Sequence, residues 1–149
     1  MSHVREAILD DIEELVELGS KSFQFGGLHE VYSYIPEVAA KEFEAMIESP
    51  ERLLLVVDTV DGIKGMFGAV SFNVMCGHGT ATYEQYLYID ESYRGSGCMR
   101  RLMKEYVAWG DRLNVVMQFM VSHVDHERFK KFYSLFGFEE SERTYLRKV

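Results

Sequence analysis

Residues 87–103, LYIDESYRGSGCMRRLM, constrain the fold more than any other stretch of the chain. An apolar run typical of a strand ends at an acidic turn, and residues 94–97 (RGSG) lead into a run with helical spacing. A strand that enters a helix through glycines leaves the first N–H groups of the helix unpaired, and the helix dipole favours an anion there. The segment therefore predicts an anion-binding turn in which Arg94, Arg100 and Arg101 supply cationic side chains.

Two common phosphate-binding motifs do not match this turn. It lacks the lysine and hydroxyl of GxxxxGK[ST], and GSGCMR lacks the last glycine of GxGxxG. From these residues alone, a phosphate site and a plain strand-to-helix turn remain equally open.

Composition narrows the class of protein. A chain of 149 residues with 47% hydrophobic and 27% charged residues is typical of one folded domain, here taken as residues 1–149. The net charge of −8 disfavours nucleic acid as a partner and is compatible with a cationic ligand. Cys76 and Cys98 form neither a disulfide framework nor a metal cluster, which favours a reducing cytoplasm. No apolar run predicts a signal peptide or a membrane span, and a homodimer stays open.

The first half of the chain predicts one strand followed by two helices. Residues 4–9 are expected to form the strand, and a helix from about Asp11 to Leu18 follows, with Asp10 as its N-cap and Gly19 as its stop. Residues 20–35 are expected to form a mobile loop, which can include a helical turn. Pro36 can begin a second helix, which ends at Ser49-Pro50.

The second half predicts three antiparallel strands and then alternating elements. The strands are Leu53–Asp58, Lys64–Met75 and Thr82–Ile89. After them come a third helix from Cys98, a central strand at Val115–Ser122, a helix at His126–Phe136 capped by Gly137, and a closing strand at Glu142–Val149. This order predicts an α/β fold with a mixed, mostly antiparallel sheet.

The glycine turn resembles the pyrophosphate-binding motif [Q/R]xxGx[G/A] of the GNAT superfamily, the acyl-CoA-dependent N-acyltransferases. Residues 94–99 occupy that motif, and FKKFYSLFGF (129–138) and REAILDDIEELVEL (5–18) resemble other segments of the family. The resemblance covers nearly the whole chain. It implies a single-domain fold in which strands four and five splay apart, flanked by about four helices. Met99 stands where the family usually has Gly or Ala. Its long side chain can either crowd the pyrophosphate or point into the core, as the stripe that it shares with Met103 and Val107 suggests.

The resemblance also implies roles for particular residues. Acetyl-CoA would lie between the splayed strands, its pantetheine arm paired with backbone groups of Leu87, Tyr88 and Ile89. The Leu87 amide would polarise the thioester carbonyl. The pyrophosphate would be held by the amides that follow Arg94, from Gly95, Ser96, Gly97, Cys98, Met99 and Arg100. His126 occupies a position where relatives often have an Asn that touches the cofactor.

Two side chains resemble catalytic groups of the family. Tyr133 resembles the tyrosine that protonates the departing thiolate in many members, although its aromatic helix face also predicts packing. Glu84 lies near the position of a catalytic glutamate in some relatives. The register places that position at Tyr83, so a β-bulge would be needed to bring Glu84 to the right face, and an ordinary surface carboxylate is the alternative.

Several loop residues stay open between two interpretations. His29, Glu30 and His78 are titratable groups that can serve as bases or remain solvated. In this fold the loop at 20–35 would cover the acceptor pocket, where its aromatic residues either line the pocket or fill the core: Phe23, Phe25, Tyr32 and Tyr34.

The expected function is transfer of an acetyl group from acetyl-CoA to a primary amine, by direct attack in a ternary complex and without a metal. Neither cysteine is a convincing covalent relay, because Cys98 lies on a buried helix stripe and Cys76 at a strand end. The acceptor stays open between a small metabolite amine, an aminoglycoside-like compound and a peptide amine. The alternatives are a non-catalytic acyl-CoA-binding or protein-interaction module of the same fold, and a phosphate-binding regulatory domain.

Overall fold

The computed structural model describes residues 2–122 and 126–149. The five strands form one sheet in the order β1-β2-β3-β4-β5, antiparallel from β1 to β4, with β5 parallel to β4. This is the mixed, mostly antiparallel α/β fold that the sequence predicts. The elements are β1 (His3–Glu6), α1 (Ile12–Phe25), α2 (Pro36–Glu48), β2 (Arg52–Thr59), β3 (Gly62–Asn73), β4 (Thr80–Ile89), α3 (Cys98–Leu113), β5 (Met117–Phe119) and α4 (His126–Ser134).

Helices cover both faces of the sheet, and the side chains of β2 show why its sequence is continuously apolar. Successive side chains of a strand point to opposite faces. Leu53, Leu55 and Val57 pack in one core with α3 and α4, whereas Leu54 and Val56 pack in a second core with α1 and α2. A strand buried on both faces needs apolar residues at every position.

The first helix is longer than the sequence predicts, and the expected stop at Gly19 is wrong. Gly19 lies buried inside α1, where a Cβ would come within 2.6 Å of the Tyr34 hydroxyl and 3.4 Å of the Phe43 ring. The glycine therefore allows neighbouring side chains to approach the helix closely. As a consequence residues 20–25, expected as part of a loop, are helical.

Asp11, and not the predicted Asp10, organises the chain before α1. Its carboxylate accepts a hydrogen bond from the Ile8 N–H at 2.8 Å and two from the Arg5 guanidinium at 2.7 and 2.8 Å. The Arg5 guanidinium lowers the pKa of the Asp11 carboxyl below its usual value. Because Leu9–Asp11 forms a 3-10 turn, β1 ends at Glu6 and is shorter than the predicted strand at 4–9.

The last third of the chain departs most from prediction. The strand expected at Val115–Ser122 is confined to Met117–Phe119, and it forms an edge of the described sheet instead of its centre. The closing strand expected at Glu142–Val149 is wrong, since these residues have no regular structure and are exposed. Their weak alternation places no apolar set on one face, and Tyr145 is 90% exposed. Lys148 instead forms an ion pair with Glu30 at 2.9 Å.

Candidate active site

The glycine turn forms an open cradle at the start of α3. Gly95 and Gly97 have φ angles of +84° and +80°, a left-handed conformation that a residue with a side chain adopts only under strain. A Cβ at either glycine would meet no atom within 4 Å, so the space in front of the turn is free. In the described residues, the N–H groups of Cys98, Met99 and Arg100 have no acceptor in the protein. The turn thus presents converging donors and room for a diphosphate.

The three arginines near the cradle have different partners. Arg100 is exposed on the first turn of α3 and is free to approach a bound anion. Arg101 points elsewhere, because its Nη2 donates to the Ser2 hydroxyl at 2.7 Å. The Arg94 guanidinium lies 4.5 Å from the centre of the Phe25 ring, and its Nε donates to the Ile89 carbonyl at 3.0 Å. Arg94 therefore joins the end of α1 to the cradle as well as adding positive charge.

The side chains of Cys98 and Met99 turn away from the cradle and leave it to their backbone. Cys98 is fully buried in the core beneath α3, and Met99 is half-buried against the same core. The core placement of Met99 agrees with the stripe that it shares with Met103 in the sequence. Ser96 is exposed between the two glycines. The residue that departs from the family motif therefore packs under the helix.

Strands β4 and β5 part beside this cradle. In the described part of the chain they pair over three residues, from Ala81 with Met117 to Tyr83 with Phe119, whereas β4 continues to pair with β3 as far as Ile89. Between Glu84 and Tyr86 the register against β3 shifts, so Gln85 is the extra residue of a β-bulge. A bulge bends its strand and increases the local twist, which directs β4 away from β5.

The gap between the strands brings Glu84 and Tyr133 onto the backbone of one residue, Val121. Glu84 Oε2 accepts a hydrogen bond from the Val121 N–H at 3.0 Å, and the Tyr133 hydroxyl donates to the Val121 carbonyl at 3.2 Å. The bulge lies directly after Glu84, whose side chain is buried and only 3% exposed. The alternative of a surface carboxylate is therefore wrong for this residue, because its side chain turns inward.

Burial controls the protonation of both groups. It raises the pKa of the Glu84 carboxyl to about 7, against a smaller opposing effect of the Val121 N–H bond. Burial likewise raises the pKa of the Tyr133 hydroxyl above its usual value, with a further contribution from the Glu84 charge. Near neutral pH the site thus holds a carboxyl poised to exchange a proton and a phenol that keeps its proton. Such a pair has the chemistry of a general base and a general acid.

The remaining candidate cofactor contacts lie along β4 and at the start of α4. Leu87 and Ile89 pack toward α3, and Tyr88 is buried on the opposite face beside Phe25, so only their backbones border the gap. The Ile89 carbonyl already accepts the Arg94 bond. His126 is exposed and begins α4 directly after the three residues that lie outside the described chain.

The loop candidates separate into two groups. Phe23 is buried at 4.9 Å from the Tyr32 ring and 5.5 Å from the Tyr34 ring, so part of this aromatic set fills the core beneath the segment after α1. Tyr32 and Phe25 are exposed on the same side and can meet a second substrate. His29 and Glu30 are exposed there too, whereas His78 lies in the β3–β4 turn, at the other end of β4 from the cradle.

Two residues that the sequence did not single out also meet at the gap. The Tyr106 hydroxyl lies 2.9 Å from Thr82 Oγ1 and donates to the Phe119 carbonyl at 2.9 Å. In the sequence, Tyr106 appears only as one member of an apolar helix stripe, and Thr82 as one residue of a strand. The one signal in the sequence was that each residue carries a hydroxyl group in an element expected to be buried. Buried hydroxyl groups need hydrogen-bond partners.

Other features lie away from this site. A cavity of about 430 Å³ opens at the far end of α3, lined by Met46, Arg52, Trp109 and Arg112 among others, and none of the predicted site residues borders it. Within residues 2–122 and 126–149, no group of three His, Cys, Asp or Glu side chains is placed to hold a metal. No helix in those ranges combines the length and the apolar character needed to cross a membrane.

Comparisons with solved structures show the same fold. A mutant of the BH1408 protein from Bacillus halodurans has a TM-score of 0.81 with 19% identity, covering 99% of both chains. A predicted acetyltransferase from Clostridium acetobutylicum, solved with acetyl-CoA, has a TM-score of 0.78 with 16% identity, covering 99% of this chain and 96% of that one. Glucosamine-6-phosphate N-acetyltransferase from Arabidopsis thaliana has a TM-score of 0.77 with 14% identity, covering 99% and 97%.

At the level of sequence, no curated protein matches the chain. The model of the acetyltransferase (GNAT) family, in contrast, matches residues 12–138. That range holds the cradle, the parted strands, Glu84 and Tyr133. The chain belongs to the GNAT acetyltransferase family.

Proposed function

We propose that the protein is an N-acetyltransferase that moves an acetyl group from acetyl-CoA to a primary amine by direct attack in a ternary complex. The observation that carries this proposal is the convergence of Glu84 and Tyr133 on Val121, inside the gap that opens after the Tyr83–Phe119 pair. A phosphate-binding regulatory domain would need the cradle alone. The gap and its two buried proton-carrying groups favour an acyl-transfer enzyme over such a domain.

The residues present fit coenzyme A. The free N–H groups of Cys98, Met99 and Arg100 would bind its pyrophosphate, with Gly95, Ser96 and Gly97 giving it room. The backbones of Leu87, Tyr88 and Ile89 would pair with the pantetheine arm, and the Leu87 N–H would polarise the thioester carbonyl. His126 would border the cofactor from the start of α4. Acetyl-CoA supplies the activated acetyl group.

Glu84 is proposed as the general base and Tyr133 as the general acid. An alkylammonium has a pKa of about 10, so an acceptor amine must lose a proton before it can attack. The Glu84 carboxylate accepts that proton, directly or through water. The Tyr133 hydroxyl gives its proton to the departing thiolate. With Cys98 buried, the route needs no cysteine intermediate.

The exposed aromatic side chains on the α1 side are proposed to receive the acceptor. Among the solved neighbours, one was solved with the bisubstrate analogue CoA-S-monomethyl-acetylneamine, and another is named glucosamine-6-phosphate N-acetyltransferase. A small-molecule amine or a peptide amine therefore fits the proposal, with no nucleic acid or membrane partner. We further propose that residues 1–149 act as one catalytic domain in the cytoplasm, without a metal, and that a homodimer is compatible with this function.

Activity is tested by mixing the protein with acetyl-CoA and a panel of amines and following free thiol. The panel contains polyamines, an aminoglycoside, an amino sugar phosphate and a peptide with a free N-terminus. Amine-dependent thiol release with a matching acetylated product supports the proposal. Binding of acetyl-CoA with no release on any amine would favour the non-catalytic acyl-CoA-binding module instead.

The cofactor site is tested by Gly97→Glu. A carboxylate at the cradle repels the pyrophosphate and fills the free space, so affinity for CoA should fall at least about 100-fold, measured by calorimetry. Gly137→Glu is the matched control, because Gly137 has a φ of +84° and equally free surroundings but lies after α4. Unchanged CoA affinity in the Gly97 variant, or equal losses in both, would remove the cradle from the proposal.

A further inference from the structure

Three hydrogen-bonding groups, from Thr82, Tyr106 and Phe119, lie where β4 and β5 part. The Tyr106 hydroxyl of α3 donates to the Phe119 carbonyl of β5 and lies 2.9 Å from Thr82 Oγ1 of β4. A tyrosine hydroxyl has one hydrogen, so the Thr82 hydroxyl must donate to the Tyr106 oxygen. Thr82 and Tyr106 are both 0% exposed. One hydroxyl from a helix therefore ties both strands at the level of their last pair, Tyr83 with Phe119.

The tie is rigid because the ring that carries the hydroxyl is fixed. The Tyr106 ring packs at 4.9 Å from the Phe67 ring and stacks on the Phe138 ring at 6.4 Å. Gln118 Nε2 of β5 also donates to the Tyr106 backbone carbonyl at 2.9 Å. The start of the gap is thus held by α3 on one side and by the sheet on the other.

The next contact across the gap involves the proposed base. Beyond the pair of Tyr83 with Phe119, the backbones of β4 and of the segment after β5 are not paired. The Val121 N–H in that segment donates to the Glu84 side chain of β4 instead. Glu84 is two residues from Thr82, and Val121 is two residues from Phe119. A shift of the tie would therefore move both ends of the Glu84–Val121 bond.

We propose that the Tyr106 hydroxyl, together with Thr82, is a positioning group that sets the width of the gap and thereby selects short acyl groups. This inference rests on the proposed function, since it assumes that an acyl thioester enters the gap. The hydroxyl does not touch the reacting atoms. It acts through the two strands, by fixing the distance between the Glu84 and Val121 segments.

Tyr106→Phe tests the proposal because it keeps the packed ring and removes only the hydroxyl. The Phe119 carbonyl and the Thr82 hydroxyl then lose their buried partner, so the strands must shift to find others. We expect kcat/KM for acetyl-CoA to fall about 10-fold. Butyryl-CoA should lose less, so that the ratio of kcat/KM for acetyl-CoA over butyryl-CoA falls about five-fold.

Two variants of Thr82 and one control sharpen the test. Thr82→Val removes the same hydrogen bond from the other side and should repeat the change in selectivity. Thr82→Ser keeps the hydroxyl and should retain the acetyl preference. Met103→Leu conserves volume in the same buried helix face without touching the tie, so it should affect all acyl donors alike. Equal losses for all donors in Tyr106→Phe, or a Ser variant that behaves as the Val variant, would overturn the proposal.

A separate measurement distinguishes this inference from the proposed function. If the wild-type protein transfers no acyl group from any donor, the enzymatic proposal fails, and the tie is judged by amide hydrogen exchange. Tyr106→Phe should then speed exchange in peptides that cover residues 82–87 and 117–121 and leave β1–β2 peptides unchanged. Unaltered exchange in the β4 and β5 peptides would refute the spacing role.

Discussion

Glu84 is a carboxylic acid that is almost fully buried and accepts a hydrogen bond from the Val121 N–H. The nearby hydroxyls of Tyr106 and Tyr133 give their one hydrogen each to the carbonyls of Phe119 and Val121, so neither donates to Glu84. The Val121 N–H bond stabilises the charged form of the carboxyl. Burial raises the pKa of this carboxyl because it removes the charge from water, and the Val121 bond opposes this effect only in part.

Glu84→Gln separates catalysis from stability. The wild-type rate should rise with pH through about 7, because the base acts only when Glu84 has lost its proton. The Gln variant keeps an acceptor for the Val121 N–H but should lose this dependence and at least about 100-fold in kcat. Profiles of kcat and kcat/KM against pH, from pH 5.5 to 9, measure both the loss of rate and the loss of pH dependence. An unchanged acidic limb in the variant would assign the base to another group.

The same substitution has an opposite effect on stability. A carboxyl whose pKa is raised on folding binds more protons in the folded state, so its contribution falls as the pH rises from about 4.5 to about 7. Above pH 7 the wild type carries a buried charge that Gln lacks. The variant should therefore be more stable at pH 8, by up to roughly 3 kcal/mol, and gain little at pH 5. Urea unfolding at the two pH values gives the difference, and equal gains at both would contradict the buried charge.

Tyr133→Phe tests the second proton-carrying group. The ring packs against the Phe129, Phe132 and Phe138 rings, so Phe preserves the packing and deletes the donor. We expect kcat to fall about 100-fold while the Kd for CoA changes less than about two-fold, as for a group that acts in the transition state. Equal losses in rate and affinity would indicate that the residue serves the fold alone. Tyr145→Phe, on an exposed residue outside the site, is the control.

At the scale of the element, α1 shows how a glycine inside a helix can mislead a prediction from sequence. Gly19 follows an apolar stripe and has the composition of a helix stop, but the helix continues because the glycine faces Tyr34 and Phe43. The partners lie 15 and 24 positions later in the chain. No local pattern reports such a contact, whereas the bounds of α2 and the antiparallel strands β2 to β4 follow from local apolar runs and turns.

Gly19→Leu should expose this packing. The larger side chain displaces the Tyr34 ring and breaks its hydrogen bond to the Val16 carbonyl, so the free energy of unfolding should drop by roughly 2 kcal/mol or more. Gln24→Leu places the same side chain on an exposed position of α1 and should change stability by less than about 0.5 kcal/mol. Urea denaturation compares the two. Similar stabilities would mean that α1 is not closely packed at Gly19.

Strand β5 illustrates a second limit at this scale. Its apolar composition predicts a central strand, because side chains report which faces of a strand are buried. Composition does not report whether the two edges are paired. In the segment Val115–Ser122, residues 118–121 contact α3 and α4, whereas Val116 and Met117 are exposed. In the described residues the segment pairs with β4 alone.

At the scale of the whole molecule, the parts of the site whose residues are close together in sequence could be predicted, and the parts whose residues are far apart could not. The cradle is built from six consecutive residues, so the glycines and the helix start that follow were visible in the sequence. The Glu84–Val121–Tyr133 contact joins three separate elements, and only the resemblance to a family pointed to two of its members. The Thr82–Tyr106–Phe119 tie likewise joins three elements, β4, α3 and β5, and nothing in the spacing of these residues predicted it.

The hydrogen bonds that join Glu84 and Tyr133 to Val121 determine which substitutions position 121 can accept. They contact its N–H and its carbonyl, not its side chain. Every amino acid except proline brings the same two groups. Replacement of Val121 by any other residue except proline therefore keeps both hydrogen-bonding groups. Proline would remove the N–H that bonds the Glu84 carboxylate and keep the carbonyl that accepts from the Tyr133 hydroxyl.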